Sequence, residues 1–178
     1  ARPDRDGLSA TAFPSGITGV PAEVIEAVAP IRMHKRELIP DSGGAGKFRG
    51  GLGQEMVLEV ITGLPATHSC MYDRTKFRAQ GFLGGQAGTV GEVKLSDGRK
   101  PHPKSRYTLQ PEQTVRLRLP GGGGFYHPYE RDPQRVLDDV RQGYVTVESA
   151  GEDYGVVIDA RTMMIDVVAT EQLRKNKR

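Results

Sequence analysis

Tryptophan is absent from this sequence of 178 residues, and Cys70 is its single cysteine. One cysteine excludes an intrachain disulfide and a zinc site built from cysteine ligands, and it fits a reducing, cytoplasmic location. No hydrophobic run approaches the ~20 residues that a membrane-spanning helix needs. The net charge is only +3, and much of the excess lies in residues 174–178, so the composition gives no basis for predicting nucleic-acid binding.

Glycine, in contrast, is abundant, with 23 residues in the chain. The densest stretch is PDSGGAGKFRGGLG at residues 40–53, which lies between two strand-like segments. Asp41 and Ser42 are residue types that fix the entry of a loop by hydrogen bonds to nearby backbone amides. Arg49 is the one side chain of the stretch that can direct two parallel hydrogen bonds to a carboxylate or a phosphate.

Two interpretations of this stretch remain open. In the first, backbone amides and Arg49 form a cradle for an anion or a substrate. In the second, the stretch is a structural connection in which Arg49 clamps Asp41 or a backbone carbonyl; the residues alone favour this interpretation, because glycine in loops usually serves backbone conformation. A phosphate-binding P-loop matches poorly, since Gly46 and Lys47 are followed by Phe48 and then by a strand pattern.

The apolar pattern predicts an α+β fold, with an antiparallel β-rich body and a small helical C-terminal segment. We expect one domain with an irregular lead-in at 1–30, the β-rich body at 31–120, and a glycine-rich crossover and helical tail at 121–178. Asp97 and Gly98 indicate a hairpin turn. The predicted strands are 31–39, 54–61, 66–72, 89–95, 107–109, 114–119 and 156–159. The predicted helices are 21–28, 132–143, 146–154 and 169–174.

The side chains alone identify no catalytic residue and no metal site. None of the four histidines has helical metal-ligand spacing, and of these His127, after the glycine run 121–124, is the strongest functional candidate. Cys70 lies between apolar neighbours in a predicted strand, which favours a buried, inert thiol. Asp138 and Asp139 are most simply interpreted as a solvated helix face.

Three long motifs occur along the chain: PDSGGAGKFRGGLG, MYDRTKFRAQGFLGG and LPGGGGFYHPYERDPQRVLDDVRQGYVTVESAGEDYGVV. Together they resemble the hydantoinase B/5-oxoprolinase family, which is related to acetone and acetophenone carboxylase subunits, and their order and spacing match the C-terminal third of that family. Residues 5–31 resemble the stretch just before it. The resemblance therefore covers nearly the whole chain.

The resemblance implies part of an ATP-dependent cyclic-amide hydrolase of the hydantoinase or 5-oxoprolinase type. It implies an A-type partner subunit that binds ATP and Mg, and a divalent metal in an N-terminal half of the B-type polypeptide that this chain does not contain. We therefore expect the chain to be part of a longer polypeptide, to bind no cofactor itself and to be inactive alone. A carboxylase subunit, or a structural docking domain without substrate contact, are the alternatives.

The positions that match the family motifs are our candidate substrate-binding residues. They are Asp41, Ser42, Gly43, Gly44, Gly46, Arg49, Asp73, Arg74, Gly121, Gly122, Gly123 and Gly124, and Gly50 and Gly51 match the same motif. Many relatives have a His- and Thr-rich stretch at the position of residues 13–18, where this sequence reads FPSGIT. This departure leaves the substrate open among hydantoins, 5-oxoproline, other lactams and carboxylase substrates.

Overall fold

A computed structural model describes residues 1–11 and 19–176. Within these ranges the chain forms short strands, α-helices and one 3₁₀ helix at Pro128–Glu130. The strands are β1 (Ile31–Leu38), β2 (Gln54–Val60), β3 (Ala66–Ser69), β4 (Glu92–Leu95), β5 (Arg106–Leu109), β6 (Thr114–Arg118), β7 (Ile158–Asp159) and β8 (Met164–Ile165). The α-helices are α1 (Ala22–Val28), α2 (Pro133–Arg141), α3 (Val147–Glu152) and α4 (Val167–Asn176).

The main sheet is antiparallel and has the strand order β1-β2-β6-β4. The alternating sequences of β2, β4 and β6 place one side of each of these strands in a hydrophobic cluster, in which Val93, Leu95, Val115 and Leu117 are all at most 5% exposed. Leu58 faces Val115 across the β2–β6 pair. The opposite side has charged residues, as the alternation in β6 predicts.

The hairpin predicted at Asp97 and Gly98 is not formed, because β5 pairs with β3 in a separate two-stranded ribbon. The chain does turn there, since the Gly98 amide donates to the carbonyl of Leu95. However, β4 pairs with β6 and the next strand pairs with β3, so the turn joins no two paired strands. The local signal identified the turn correctly, whereas long-range pairing decided the strand partners.

The C-terminal segment packs around its own hydrophobic cluster, which includes Val136, Leu137 and Tyr154. Helix α2 begins as the sequence predicts, because the Asp132 carboxylate accepts from the amide of Gln134 and Pro133 occupies the first helical position. The predicted strand 156–159 is shorter than expected, and its partner β8 was not predicted. Helix α4 is longer than the predicted 169–174. The α+β class is confirmed.

The irregular lead-in predicted for the start of the chain docks, in residues 7–9, onto the chain itself. The amide of Gly7 donates to the carbonyl of Arg49 at 2.8 Å, and Ser9 Oγ accepts from the amide of Leu52 at 2.9 Å. These bonds hold residues 7–9 against the glycine-rich stretch. The departure from the family pattern at 13–18 lies outside the described residues.

Candidate functional site

Three glycine-rich segments of the chain lie against one another and form what we call the glycine lattice: residues 42–53, 79–91 and 120–126. Most of their contacts are made by backbone atoms. Gly44 donates to the carbonyl of Gly122 at 2.8 Å, and the amide of Gly122 donates to Gly51 at 2.8 Å. Gly124 in turn donates to Gln86 at 2.9 Å. The lattice joins parts of the chain that are far apart in sequence.

Glycine is required in the lattice because the backbones approach too closely for a side chain. A Cβ atom at Gly44 would overlap the carbonyl oxygen of Gln86, and one at Gly50 would overlap that of Gly122. A Cβ at Gly121 would overlap the carbonyl oxygen of Ser42. The glycines thus permit close approach of three chain segments, which is one of the established uses of this residue.

This arrangement brings most of the candidate substrate-binding residues together, although their association with substrate stays a prediction. The amides of Gly44, Gly122 and Gly124 are used within the lattice, so they are not free to bind an anion. Ser42 and Asp41 also have structural partners. Ser42 Oγ donates to the carbonyl of Ile39 and accepts from the amide of Gly53, and Asp41 Oδ1 accepts from the amide of Thr146 at 2.9 Å.

Arg49 lies inside the protein, where its side chain is 6% exposed. Its guanidinium donates to the carbonyl of Gly50 at 2.9 Å and to Asp139 at 3.4 Å, and it lies over the ring of Tyr144. The geometry matches the backbone-carbonyl clamp of the second interpretation, with Asp139 in place of Asp41 as the carboxylate. Buried polar groups need such partners, because a solitary buried charge is very unfavourable.

Arg49 is part of a buried ion network that we define by Asp6, Arg49, Arg131 and Asp139. Arg131 has a side chain that is 1% exposed and donates to both carboxylates, at 2.7 Å to Asp6 and at 2.7 Å to Asp139. Exposed Arg135 adds a further bond to Asp6. The network therefore connects the first residues of the chain, the glycine lattice and helix α2.

Asp6 of the network is held in its charged form by arginine. Burial alone would raise the pKa of Asp6, but the hydrogen bond and charge of Arg131, with the amide of Arg49 and the charge of Arg135, lower it. Burial opposes the charge of Arg131 as well, yet Asp6 and Asp139 raise its pKa above the ordinary value. Tyr154, buried beside the network, has its pKa raised by burial.

The sequence predicted Arg49 but missed the other members of the network, and it assigned Asp139 wrongly to a solvated helix face. Asp139 is 7% exposed, whereas the side chain of its neighbour Asp138 is 52% exposed. The signal that could have separated them is the helical position. Val136, Leu137 and Val140 define the buried face of α2, and Asp139 lies three residues after Val136 on that face.

The remaining candidates, Asp73 and Arg74, lie in an exposed loop that contacts the lattice through the backbone of Arg74. Both line a cavity of about 650 Å³ together with His102 and Lys104. Asp73 accepts from Lys104 at 2.7 Å, and this hydrogen bond lowers the pKa of the carboxyl. Arg74 has a positive φ of 54°, and its carbonyl accepts from the amide of Gly91. Asp73 and Arg74 thus line a cavity that none of the other candidate residues lines.

The other candidate groups have structural surroundings. Cys70 is 3% exposed and its thiol donates to the carbonyl of Ser105 at 3.2 Å. His68 contacts the hydroxyl of Tyr72 at 3.0 Å, and burial lowers the pKa of this histidine. His127 caps the 3₁₀ helix by accepting from the amide of Tyr129. In residues 1–11 and 19–176, histidine, cysteine and carboxylate side chains form no cluster of three that could hold a metal ion.

The chain belongs to the hydantoinase B/oxoprolinase family, whose model matches residues 1–128. The B-type polypeptide of a putative D-/L-hydantoinase from a Pseudomonas strain is 35% identical over 87% of this chain and 27% of its own length. This chain thus spans about a quarter of the length of that relative. It corresponds to the C-terminal part of the family.

Two solved structures share the fold. The ATP-dependent caprolactamase of Pseudomonas jessenii has a TM-score of 0.80 and 30% identity, over 98% of this chain and 32% of the other. The nucleotide-free structure of an acetone carboxylase has a TM-score of 0.77 and 26% identity, over all of this chain and 29% of the other. The arrangement of this chain therefore recurs within much longer polypeptides.

Proposed function

We propose that this chain is the C-terminal part of the B-type subunit of an ATP-dependent cyclic-amide hydrolase, working with an ATP-binding A-type subunit. The observation on which the proposal rests is the structural match with an ATP-dependent caprolactamase over 98% of the chain. The similarity to the B-type polypeptide of a hydantoinase supports the same class of substrate, a ring closed by an amide bond. A cytoplasmic location belongs to the same proposal. None of the helices in the described ranges is sufficiently long and apolar to span a membrane.

The geometry supports a scaffolding role for this part of such an enzyme. The glycine lattice has its backbone groups paired internally, and the ion network ties residues 1–11 to helix α2. Both features fix the relative positions of exposed loops, among them the loop with Asp73 and Arg74. A rigid scaffold that presents loops is the usual arrangement of enzyme sites.

The described residues do not fit the metal that the family resemblance implies. Asp6 and Asp139 are both engaged by Arg131, and a guanidinium within 3 Å of a carboxylate oxygen takes the place that a cation would occupy. We propose that the divalent metal, and ATP with its Mg, bind to other parts of the assembly, as the family resemblance implies. No chemical step is assigned to this chain.

The test is reconstitution of the complete B-type polypeptide with its A-type partner. We expect the release of phosphate from ATP to depend on the presence of a cyclic amide. The opening of the ring of 5-oxoproline, a hydantoin or caprolactam is measured by chromatography. The chain of 178 residues alone is expected to show no turnover above buffer. A rate of phosphate release that is the same with and without each cyclic amide would reject the hydrolase proposal.

A carboxylase subunit is the second candidate, because an acetone carboxylase shares the fold over the whole chain. The same reconstituted proteins distinguish the two. A hydrolase opens its ring without added bicarbonate, whereas a carboxylase consumes ATP only when a ketone and bicarbonate are both present. Incorporation of labelled bicarbonate into an acid product would favour the carboxylase.

A further inference from the structure

A cavity of about 520 Å³ lies at the outer strand β4 of the main sheet, and residues 89–91 of the glycine lattice form part of its wall. Its walls come from the start of β4, from residues 75–78 of the exposed loop, and from residues 100–103. The volume is within the range of pockets that bind small molecules. No substrate-binding candidate from the sequence lines this cavity.

The cavity is rich in positive charge. Four basic side chains line it, and Glu92 is the one carboxylate among the lining residues. Lys100 forms an ion pair with Glu92, which neutralises that carboxylate. Arg118 is 3.6 Å from Glu55. Among the described residues, the side chains of Lys76 and Arg78 have neither an ion pair nor a hydrogen bond.

The remaining lining is apolar or hydroxylic. Val90, Val93 and Pro101 give the cavity an apolar surface. The hydroxyl of Thr89 accepts a weak hydrogen bond from Gly121, which leaves its proton available to an anion. A ligand that complements both the basic side chains and the apolar surface of the cavity has an oxyanion at one end and an apolar body.

We propose that this cavity binds a small organic phosphate, with Lys76 and Arg78 at the phosphate and the valine and proline side chains against the apolar body. Arg78 is suited to this role because its guanidinium matches two phosphate oxygens at once. Lys76 contributes a mobile point charge. The inference goes beyond the proposed function and does not depend on it, because it concerns binding to this chain alone.

The test is titration of the chain with phenyl phosphate and, separately, with inorganic phosphate. Binding is detected from the changes in backbone amide chemical shifts in NMR spectra. We expect shifts at Thr75, Thr89 and Val90, with tighter binding of phenyl phosphate because only this probe has an apolar body. The double variant K76Q/R78Q should weaken binding by about tenfold or more. Added salt should weaken it as well.

Arg106→Gln is the matched control, since Arg106 is an exposed arginine on β5 that does not line the cavity. It should change the dissociation constant by less than about twofold, because its side chain contributes nothing to the lining of the cavity. Thermal melting checks that each variant is folded. Equal binding of phenyl phosphate by K76Q/R78Q, equal binding of the two probes, or shifts confined to other residues would overturn the proposal. Neither ATP nor a partner subunit is present, so the result is independent of turnover.

Discussion

Asp139 accepts a hydrogen bond of 2.7 Å from Arg131, at a place where the two side chains are 10% and 1% exposed. The same carboxylate oxygen receives Arg49 at 3.4 Å. One carboxylate of helix α2 therefore neutralises charge from two buried arginines. Because Arg131 also binds Asp6, the pair links helix α2 to the first residues of the chain.

Replacing Asp139 by Asn should destabilise the chain strongly. The shape of the side chain is kept, but two arginines lose a shared counter-charge in a buried site, and breaking such a pair costs about 3–5 kcal/mol. The free energy of unfolding from urea titration is the measurement. Asp138→Asn is the matched control and should change it by less than about 0.5 kcal/mol, because that neighbour is exposed. Equal effects of the two variants would contradict the buried network.

The variant Arg49→Ala separates the two interpretations of the glycine-rich stretch. Loss of the bonds to Gly50 and Asp139 should reduce the free energy of unfolding by roughly 1.5–3 kcal/mol. The activity of the reconstituted enzyme should then fall only as far as the folded fraction falls. Thermal melting and kcat/KM are measured side by side.

The opposite outcome for Arg49→Ala would favour the first interpretation, a cradle for substrate. Unchanged melting with a loss of kcat/KM of about tenfold, equivalent to ~1.4 kcal/mol, would support a substrate cradle. Arg49→Lys helps to separate charge from geometry, since lysine keeps the charge and loses the planar fork. Full activity and full stability of Arg49→Ala would reject both interpretations.

Local features of this fold could be predicted from the sequence because their causes are local. Asp132 and Thr146 begin helices with side-chain caps a few residues from the amides they bind, and Gly143 ends α2 with a φ of 72°. Strand alternation in β6 likewise appears within five residues. Such signals depend on neighbours in sequence, and the structure confirms them.

The glycine lattice and the ion network could not be predicted in the same way. The lattice consists of backbone contacts between segments such as Gly44 with Gly122, and glycine has no side chain whose periodicity would indicate a partner. In the network, Asp6 and Arg131 are 125 positions apart. An isolated aspartate near the start of a chain looks like any surface charge, so only the folded chain identifies its role.

The contribution of Asp6 to stability should depend on pH. Its pKa is lower in the folded chain than in the unfolded chain, so its contribution is present above the unfolded value of about 4 and is lost as the pH falls through the folded value. The difference in free energy of unfolding between the natural chain and Asp6→Asn should therefore be large near neutral pH and shrink in acid.

Asp4→Asn is the control for this pH dependence, since Asp4 lies on the surface and, among the described residues, its side chain pairs with its exposed neighbour Arg5. Urea titrations of the three proteins across the acidic range give the comparison. If the difference in free energy of unfolding between the natural chain and Asp6→Asn is the same at neutral and at acidic pH, the charge of Asp6 is not what stabilises the network.

The glycine lattice gives the sharpest comparison between two otherwise identical substitutions. Gly121→Ala should prevent the lattice from closing, because a Cβ would overlap the carbonyl oxygen of Ser42 and neither backbone segment can move without losing its hydrogen bonds. We expect a loss beyond the 0.5–3 kcal/mol that is typical of single substitutions, or an unfolded chain. Gly151→Ala in α3 places the same methyl group in open space.

Gly151→Ala should stabilise the chain by roughly 0.5–1 kcal/mol, because alanine loses less conformational freedom than glycine when a helix forms. We therefore expect Gly121→Ala to lower the free energy of unfolding and Gly151→Ala to raise it, as measured by thermal and urea unfolding. If Gly121→Ala unfolds during expression, limited proteolysis of the variant beside Gly151→Ala gives the same comparison. A Gly121→Ala chain that melts with the natural one would show that the lattice tolerates a side chain, and the glycines would then have to be explained by a ligand rather than by packing.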